Sequence, residues 1–198
     1  MKNCKRLSMK LSVRKTHKNV LIICLALLGS FFDTHAALAS QKYSSLHRRS
    51  VSKRDSTWNS TWNSTSDISS FERECYQEIN KIRLTSGLPP LKEWGELAKC
   101  ARNHSQNMAY GKCNFGHDGF HKRAKEMQKI ATLLSFGENV AYSHGHEDKD
   151  LIKIATLGWM KSQGHRENIL GDFNETGIGV AISKEGKFYV TQLFSKKI

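Results

Sequence analysis

No stretch of this chain is apolar for long enough to build a permanent membrane span. The longest such run, residues 20–32, has 13 residues, whereas a helix needs roughly 20 to cross a hydrocarbon core about 30 Å thick. Cysteine is sparse, with 5 in 198 residues, and only 2 prolines are present, adjacent at Pro89-Pro90. Acidic residues are nearly missing from the first 54 positions, where Asp33 is the only one. A polytopic membrane protein is therefore excluded. With 38% hydrophobic residues and a mean hydropathy of −0.53, so is a wholly disordered chain. The length allows one domain with extensions, or at most two small ones.

The net charge of +13 resembles a nucleic-acid footprint until it is mapped along the chain. Residues 1–39 contribute +6 and residues 40–54 another +5, while residues 55–198 carry only +2. The part able to fold is almost neutral, so no nucleic-acid partner is expected. The early charge belongs to an export signal: a basic stretch, the apolar run, then the small residues Ala37-Leu38-Ala39 of a cleavage site. Residues 1–39 read as a signal peptide cut after Ala39, with an uncleaved anchor as the rival reading because the basic segment is long; the cut makes the mature chain secreted, extracellular and without an integral membrane span. Residues 40–70 are polar and lack apolar periodicity, so they read as a disordered spacer. Within it, a tandem TWNS repeat places Asn59 and Asn63 in glycosylation sequons, and Arg48-Arg49 and Lys53-Arg54 offer processing sites. Further sequons start at Asn103 and Asn174.

Loss of the leader leaves Cys75, Cys100 and Cys113, enough for one disulfide in an oxidising compartment, with the pairing open. None of the three has a neighbour that would activate a nucleophile.

Residues 71–198 form the folded domain. Ser69 and Glu72 have the capping-box spacing for a helix from Phe71 to about Ser86. Its apolar positions Phe71, Cys75, Ile79 and Ile82 share one face, and Gly87-Leu88-Pro89-Pro90 stops it. Further helices are expected over about 93–110, somewhere within 122–134, and over about 149–162 with an end at Gly164. Alternation then replaces the helical period. Ile178, Val180 and Ile182, a turn at Lys184-Glu185-Gly186, and a return along 188–194 predict a C-terminal β-hairpin. A hairpin alone is not stable, and residues 136–142 are its candidate partner. Helices first and a hairpin last argue for α+β, or a three-layer sandwich, and against a doubly wound sheet.

Four stretches concentrate titratable side chains beside glycines and aromatics. They are Phe115-Gly116-His117-Asp118-Gly119, Gly137-Glu138-Asn139, Trp159-Met160-Lys161-Ser162, and Gly164-His165-Arg166-Glu167-Asn168-Ile169-Leu170. None is a metal or phosphate motif by itself. His117 and His121 imitate a zinc-protease HExxH spacing, but that motif needs a continuous helix, and Gly119 beside Phe115-Gly116 argues for a loop. His144-Gly145-His146 reads as a solvated turn.

Taken in order, the four stretches resemble the CAP superfamily of cysteine-rich secretory, antigen-five and plant pathogenesis-related proteins, in its bacterial-type branch. Ile79-Asn80-Lys81-Ile82-Arg83 upstream and Gly177-Ile178-Gly179-Val180 downstream extend the resemblance over residues 72–198. It implies a three-layer α-β-α sandwich with a small antiparallel sheet and an open cleft lined by two His and two Glu. The matching residues are His117, Glu138 and His165. The second Glu position is Ser162 here, so the full tetrad is absent, and Asn139 adjoins the cleft. Two imidazoles beside a carboxylate can hold Zn²⁺, with His117 and His165 as ligands. They can equally form a hydrogen-bonded network that fixes three loops. His165, read as lying just past a helix end, would have its protonated form favoured there. The resemblance implies non-catalytic binding of a lipid, sterol or other small extracellular ligand with no required cofactor. The alternatives are a metal-assisted hydrolase and an adhesion or defence protein.

Overall fold

The structure is a computed structural model that describes residues 8–10, 65–144 and 148–198. The apolar run and cleavage site, most of the spacer, Asn59, Asn63 and the dibasic pairs lie outside the described residues. The elements in chain order are β1 (Ser8–Lys10), α1 (Thr65–Thr85), β2 (Lys92–Glu93), α2 (Gly95–Ala109), α3 (Phe120–Gln128), β3 (Leu133–Ser143), α4 (Asp148–Lys161), α5 (Gln163–Ile169), β4 (Glu175–Ile182) and β5 (Phe188–Lys197).

The sheet order is β1-β3-β5-β4-β2. Its centre is antiparallel as expected, with Glu138 opposite Leu193 and Val180 opposite Val190. The two-residue β2 runs parallel to β4, which makes the sheet mixed. At the other end Ser8–Lys10 pairs antiparallel with Ser135–Gly137, inside the stretch read as the leader.

Period-two alternation splits the sheet into two faces, and each face collects its own apolar cluster. On one side Ile178, Val180, Phe188, Val190 and Phe194 pack with Phe71, Cys75, Ile79 and Ile82 of α1 and with Leu151, Ile152 and Trp159 of α4. On the other side Phe136 and Leu193 pack with Leu97 and Ala101 of α2 and with Phe120, Ala124 and Met127 of α3. Helices cover both faces of one sheet, which is the three-layer sandwich.

Helix α2 lies unusually close to its strand. A Cβ built on Gly177 would be 2.1 Å from the Ala98 nitrogen, and one on Gly179 would be 1.9 Å from the Arg102 nitrogen. Only hydrogen fits at both positions, so the helix backbone rests on the strand backbone. The Ser105 hydroxyl uses this approach, donating to the Gly179 carbonyl (2.8 Å) and standing 2.8 Å from Thr191 Oγ1.

One clasp joins the two helical layers around the edge of β4. Arg102 of α2 donates from Nε and Nη2 to the two Glu72 oxygens of α1 (2.8 and 2.5 Å). Glu72 Oε1 also accepts the Val180 N–H (3.1 Å), which the short β2 leaves unpaired. A second clasp is Arg83, 1% exposed. It donates to the carbonyls of Pro89, Ile169, Gly171 and Phe173 and so ties the loops around α5 to α1.

Several expectations change. Helix α1 starts at Thr65, so Ser69 lies inside it and the last residues read as spacer are helical. Gly164 does not end a helix but lies in a separate one, α5. Cys75, Cys100 and Cys113 are all free thiols, against the expected disulfide. Cys75 belongs to the cluster on one face of the sheet and Cys100 packs against the cluster on the other. Burial raises the Cys75 pKa and pushes that of Cys100 up to about 11, so both are inert thiols. The Asn174 sequon is closed as well, because its amide donates to Lys197 O (2.8 Å) and accepts from Lys197 N (2.8 Å).

Candidate functional site

The candidate site lies on the α2–α3 face of β3, where Phe136, Glu138, Val140 and Tyr142 share one row by strand alternation. The Glu138 side chain is 0% exposed. A carboxylate removed from water this completely needs partners. It has two. Arg123 donates from Nε to Oε2 (2.7 Å) and from Nη2 to Oε1 (2.7 Å), and His117 Nδ1 donates to Oε1 (2.9 Å).

Arg123 was not among the residues picked out from the sequence. It lies on the inner face of α3 with Phe120, Ala124 and Met127, all buried. A cation on an apolar helix stripe is itself a signal, since Arg is rarely buried without a partner. Its remaining nitrogen, Nη1, donates to the Asp118 carbonyl (2.7 Å) and to His104 Nδ1 (3.2 Å). His104 Nε2 in turn donates to the Gly116 carbonyl (2.9 Å). These bonds fix a neutral His104, and burial with the Arg123 charge holds its pKa below the usual value. Both ends of the Gly116–Asp118 segment are thus tied to the core, and His117 is presented between them. His117 and His121 do not share a continuous helix, as expected: His117 lies in a loop, Gly119 has φ +77°, and α3, which carries His121, begins only at Phe120.

His165 approaches from α5, with its ring centroid 6.4 Å from that of His117. It is the third residue of that helix, not a residue beyond a helix end, so the dipole there opposes a proton. Burial and the neighbouring His117 push its pKa down to about 4. Between pH 6.5 and that value the unfolded chain binds a proton at His165 that the folded chain does not, and stability falls as pH falls through the window. His104 acts in the same direction. Urea unfolding should show the midpoint dropping between pH 7 and 4.5, with a shallower drop in His165→Asn; an identical slope in the variant would remove His165 as the cause.

Asn139 belongs elsewhere than expected. It is fully buried, on the sheet face opposite Glu138, where its amide donates to His165 O (3.1 Å) and its oxygen accepts from Asn168 Nδ2 (2.9 Å). Asn168 also donates to Glu138 O (3.1 Å). The two asparagines therefore place α5, and with it His165, against β3. Ser162 is the N-cap residue of α5 with no side-chain capping bond. The structure brings together His117, Glu138 and His165, and adds Arg123, His104 and Asn168.

A metal site that takes Glu138 as a ligand beside His117 and His165 does not fit this geometry. Both Glu138 oxygens are occupied by donors, and a guanidinium lies against them. Among the described residues no group of three or more His, Cys, Asp or Glu is arranged to hold a metal ion.

An α-β-α sandwich with His117 on a buried glutamate and His165 beside it is the arrangement that the CAP resemblance implied. The chain belongs to the CAP, or cysteine-rich secretory protein, family, whose pattern it matches over residues 76–194. It is 31% identical over 166 residues to the uncharacterized protein YkwD of Bacillus subtilis (strain 168), covering 82% of this chain and 60% of that one. It is similar in fold to an extracellular protein containing an SCP domain from Bacillus anthracis (TM-score 0.54, 26% identity, 70% of this chain and 45% of that one). A cysteine-rich secretory protein from Staphylococcus aureus shares the fold too (TM-score 0.53, 22% identity, 75% and 44%). The chain thus spans between 44% and 60% of these relatives' lengths. No helix among the described residues is long and apolar enough to cross a membrane.

Proposed function

We propose that this chain is an exported CAP-domain binding protein whose small extracellular ligand enters the cleft between His117 and His165, and that it is not a catalyst. The observation that carries this reading is the saturation of Glu138. A carboxylate held on both oxygens by Arg123 and His117 is an anchor for the cleft wall; acting as a proton acceptor would require breaking that fork first. The leader-like residues 1–39 and the extracellular B. anthracis relative support export. A lipid or sterol is the ligand class that the family resemblance brings, and Zn²⁺ is not required. The test is binding of a fluorescent sterol and of phosphatidylcholine vesicles by the secreted protein, with N-terminal sequencing of the same sample. Saturable binding and a chain starting at Ser40 are expected. Retention no greater than that of a control protein would overturn the ligand class, and an intact leader would overturn export.

A further inference from the structure

An edge strand carries a row of unpaired backbone groups, which proteins protect with charge, proline or a cover. Without β1, strand β3 would be the outer strand of this sheet. It has little protection of its own, since residues 130–137 contain neither a charge nor a proline, and Ile130 and Leu134 are exposed. From Glu138 onward the helices close the edge. Asn168 of α5 donates to the Glu138 carbonyl (3.1 Å) and Trp159 of α4 donates to the Val140 carbonyl (3.0 Å). Strand alternation turns the backbone groups of Phe136, two residues before Glu138, toward the same side. There Met9 lies opposite Phe136, flanked by Ser8 at Gly137 and Lys10 at Ser135. One short strand thus covers the stretch of edge that α4 and α5 leave open.

The sequence around β1 carries a signal of its own. Leu7, Met9, Leu11 and Val13 alternate with Ser8, Lys10 and Ser12, which is the period of a strand. The basic segment of an export leader needs positive charge and has no use for alternation.

We propose that Ser8–Lys10 is a detachable edge strand, with which the chain's own leader covers the open edge of β3 at residues 135–137. Where the leader is cut, as the export reading holds, that edge is left open and still able to take the leader strand back. The pairing itself does not rest on that reading. A second copy's β3 does not fit the place, because its own edge from Glu138 onward is shielded by α4 and α5. What fits is an extended segment with a free end, held by main-chain hydrogen bonds. Three residue pairs are too few to hold such a strand irreversibly, which is what makes it detachable.

The experiment is amide hydrogen exchange on the full chain, read by NMR at Phe136 and, as a control inside the sheet, at Val190. Met9→Pro removes the backbone N–H opposite Phe136. It should speed exchange at Phe136 by about tenfold or more and leave Val190 within about twofold. Met9→Val, which keeps the N–H and favours a strand, should match the parent or exchange more slowly at Phe136. A synthetic peptide of residues 5–13, added at about 1 mM to the Met9→Pro chain, should restore the Phe136 protection, whereas a scrambled peptide of the same composition should not. Equal Phe136 exchange in parent and Met9→Pro would overturn the pairing. Equal acceleration at Val190 would show a strand needed by the core and not a detachable one. Failure of the peptide to restore protection, or equal restoration by the scrambled one, would overturn the edge as a site for the leader strand. None of these readouts depends on the cut, so they stand apart from the sequencing that tests export.

Discussion

Replacing Arg123 with leucine should cost about 3–5 kcal/mol of stability, because it strands a fully buried carboxylate. Glu138 is wholly enclosed, and its strong donors are the Arg123 fork and His117. Without Arg123 the carboxylate must take up a proton or draw water into the wall of the cleft. The Asp118 carbonyl and His104 would lose a donor too, loosening the loop that carries His117. Adding Glu138→Gln to Arg123→Leu should recover much of the loss, since a neutral amide is less costly to bury. A double-mutant cycle by urea unfolding measures the coupling. A value below about 1 kcal/mol would show that the pair is not what holds the cleft.

Gly179→Ala should be worse still. The new methyl would lie 1.9 Å from the Arg102 nitrogen and 2.3 Å from the Ala101 carbonyl carbon. Both are backbone atoms and cannot swing aside, so α2 must lift off the sheet along much of its length. That movement breaks the Ser105–Gly179 hydrogen bond and pulls Arg102 away from Glu72. It also opens a gap over Leu193, which is fully buried. A loss beyond about 4 kcal/mol, or failure to accumulate soluble protein, is expected. Gly158→Ala is the control, since nothing lies within 4 Å of the added methyl and the site is inside α4. There alanine should be neutral or stabilise by up to about 1 kcal/mol. Soluble yield and thermal unfolding of the two variants decide the matter; a folded Gly179→Ala matching the parent would show that the close approach is dispensable.

Much of the fold was legible in the sequence because its signals are periodic. The 4-4-3 spacing along α1 and the alternation in β4 and β5 each report which side faces the interior, and they found the helical layers and the hairpin. The pattern was silent where tertiary pairing decides the outcome. The parallel pairing of Lys92–Glu93 with β4 has no local signature in two exposed residues. Helix α5 was missed because Gly164, a common helix stop, lies near a helix start here. In the site, His117, Glu138 and His165 were found by ordered motifs, and they do converge. Asn139 was placed in the cleft by adjacency to Glu138, although neighbouring strand residues face opposite ways. Arg123 was overlooked, and His104 was given no role in the site, because both answer a need, the neutralisation and orientation of a buried acid, that exists only once Glu138 is known to be enclosed.

The separation of Cys75 and Cys100 by the sheet has a wider consequence. With no covalent staple among its described residues, the domain is held by packing, hydrogen bonds and ion pairs. Reductants have nothing there to sever, and the sheet keeps Cys75 and Cys100 from being joined to each other.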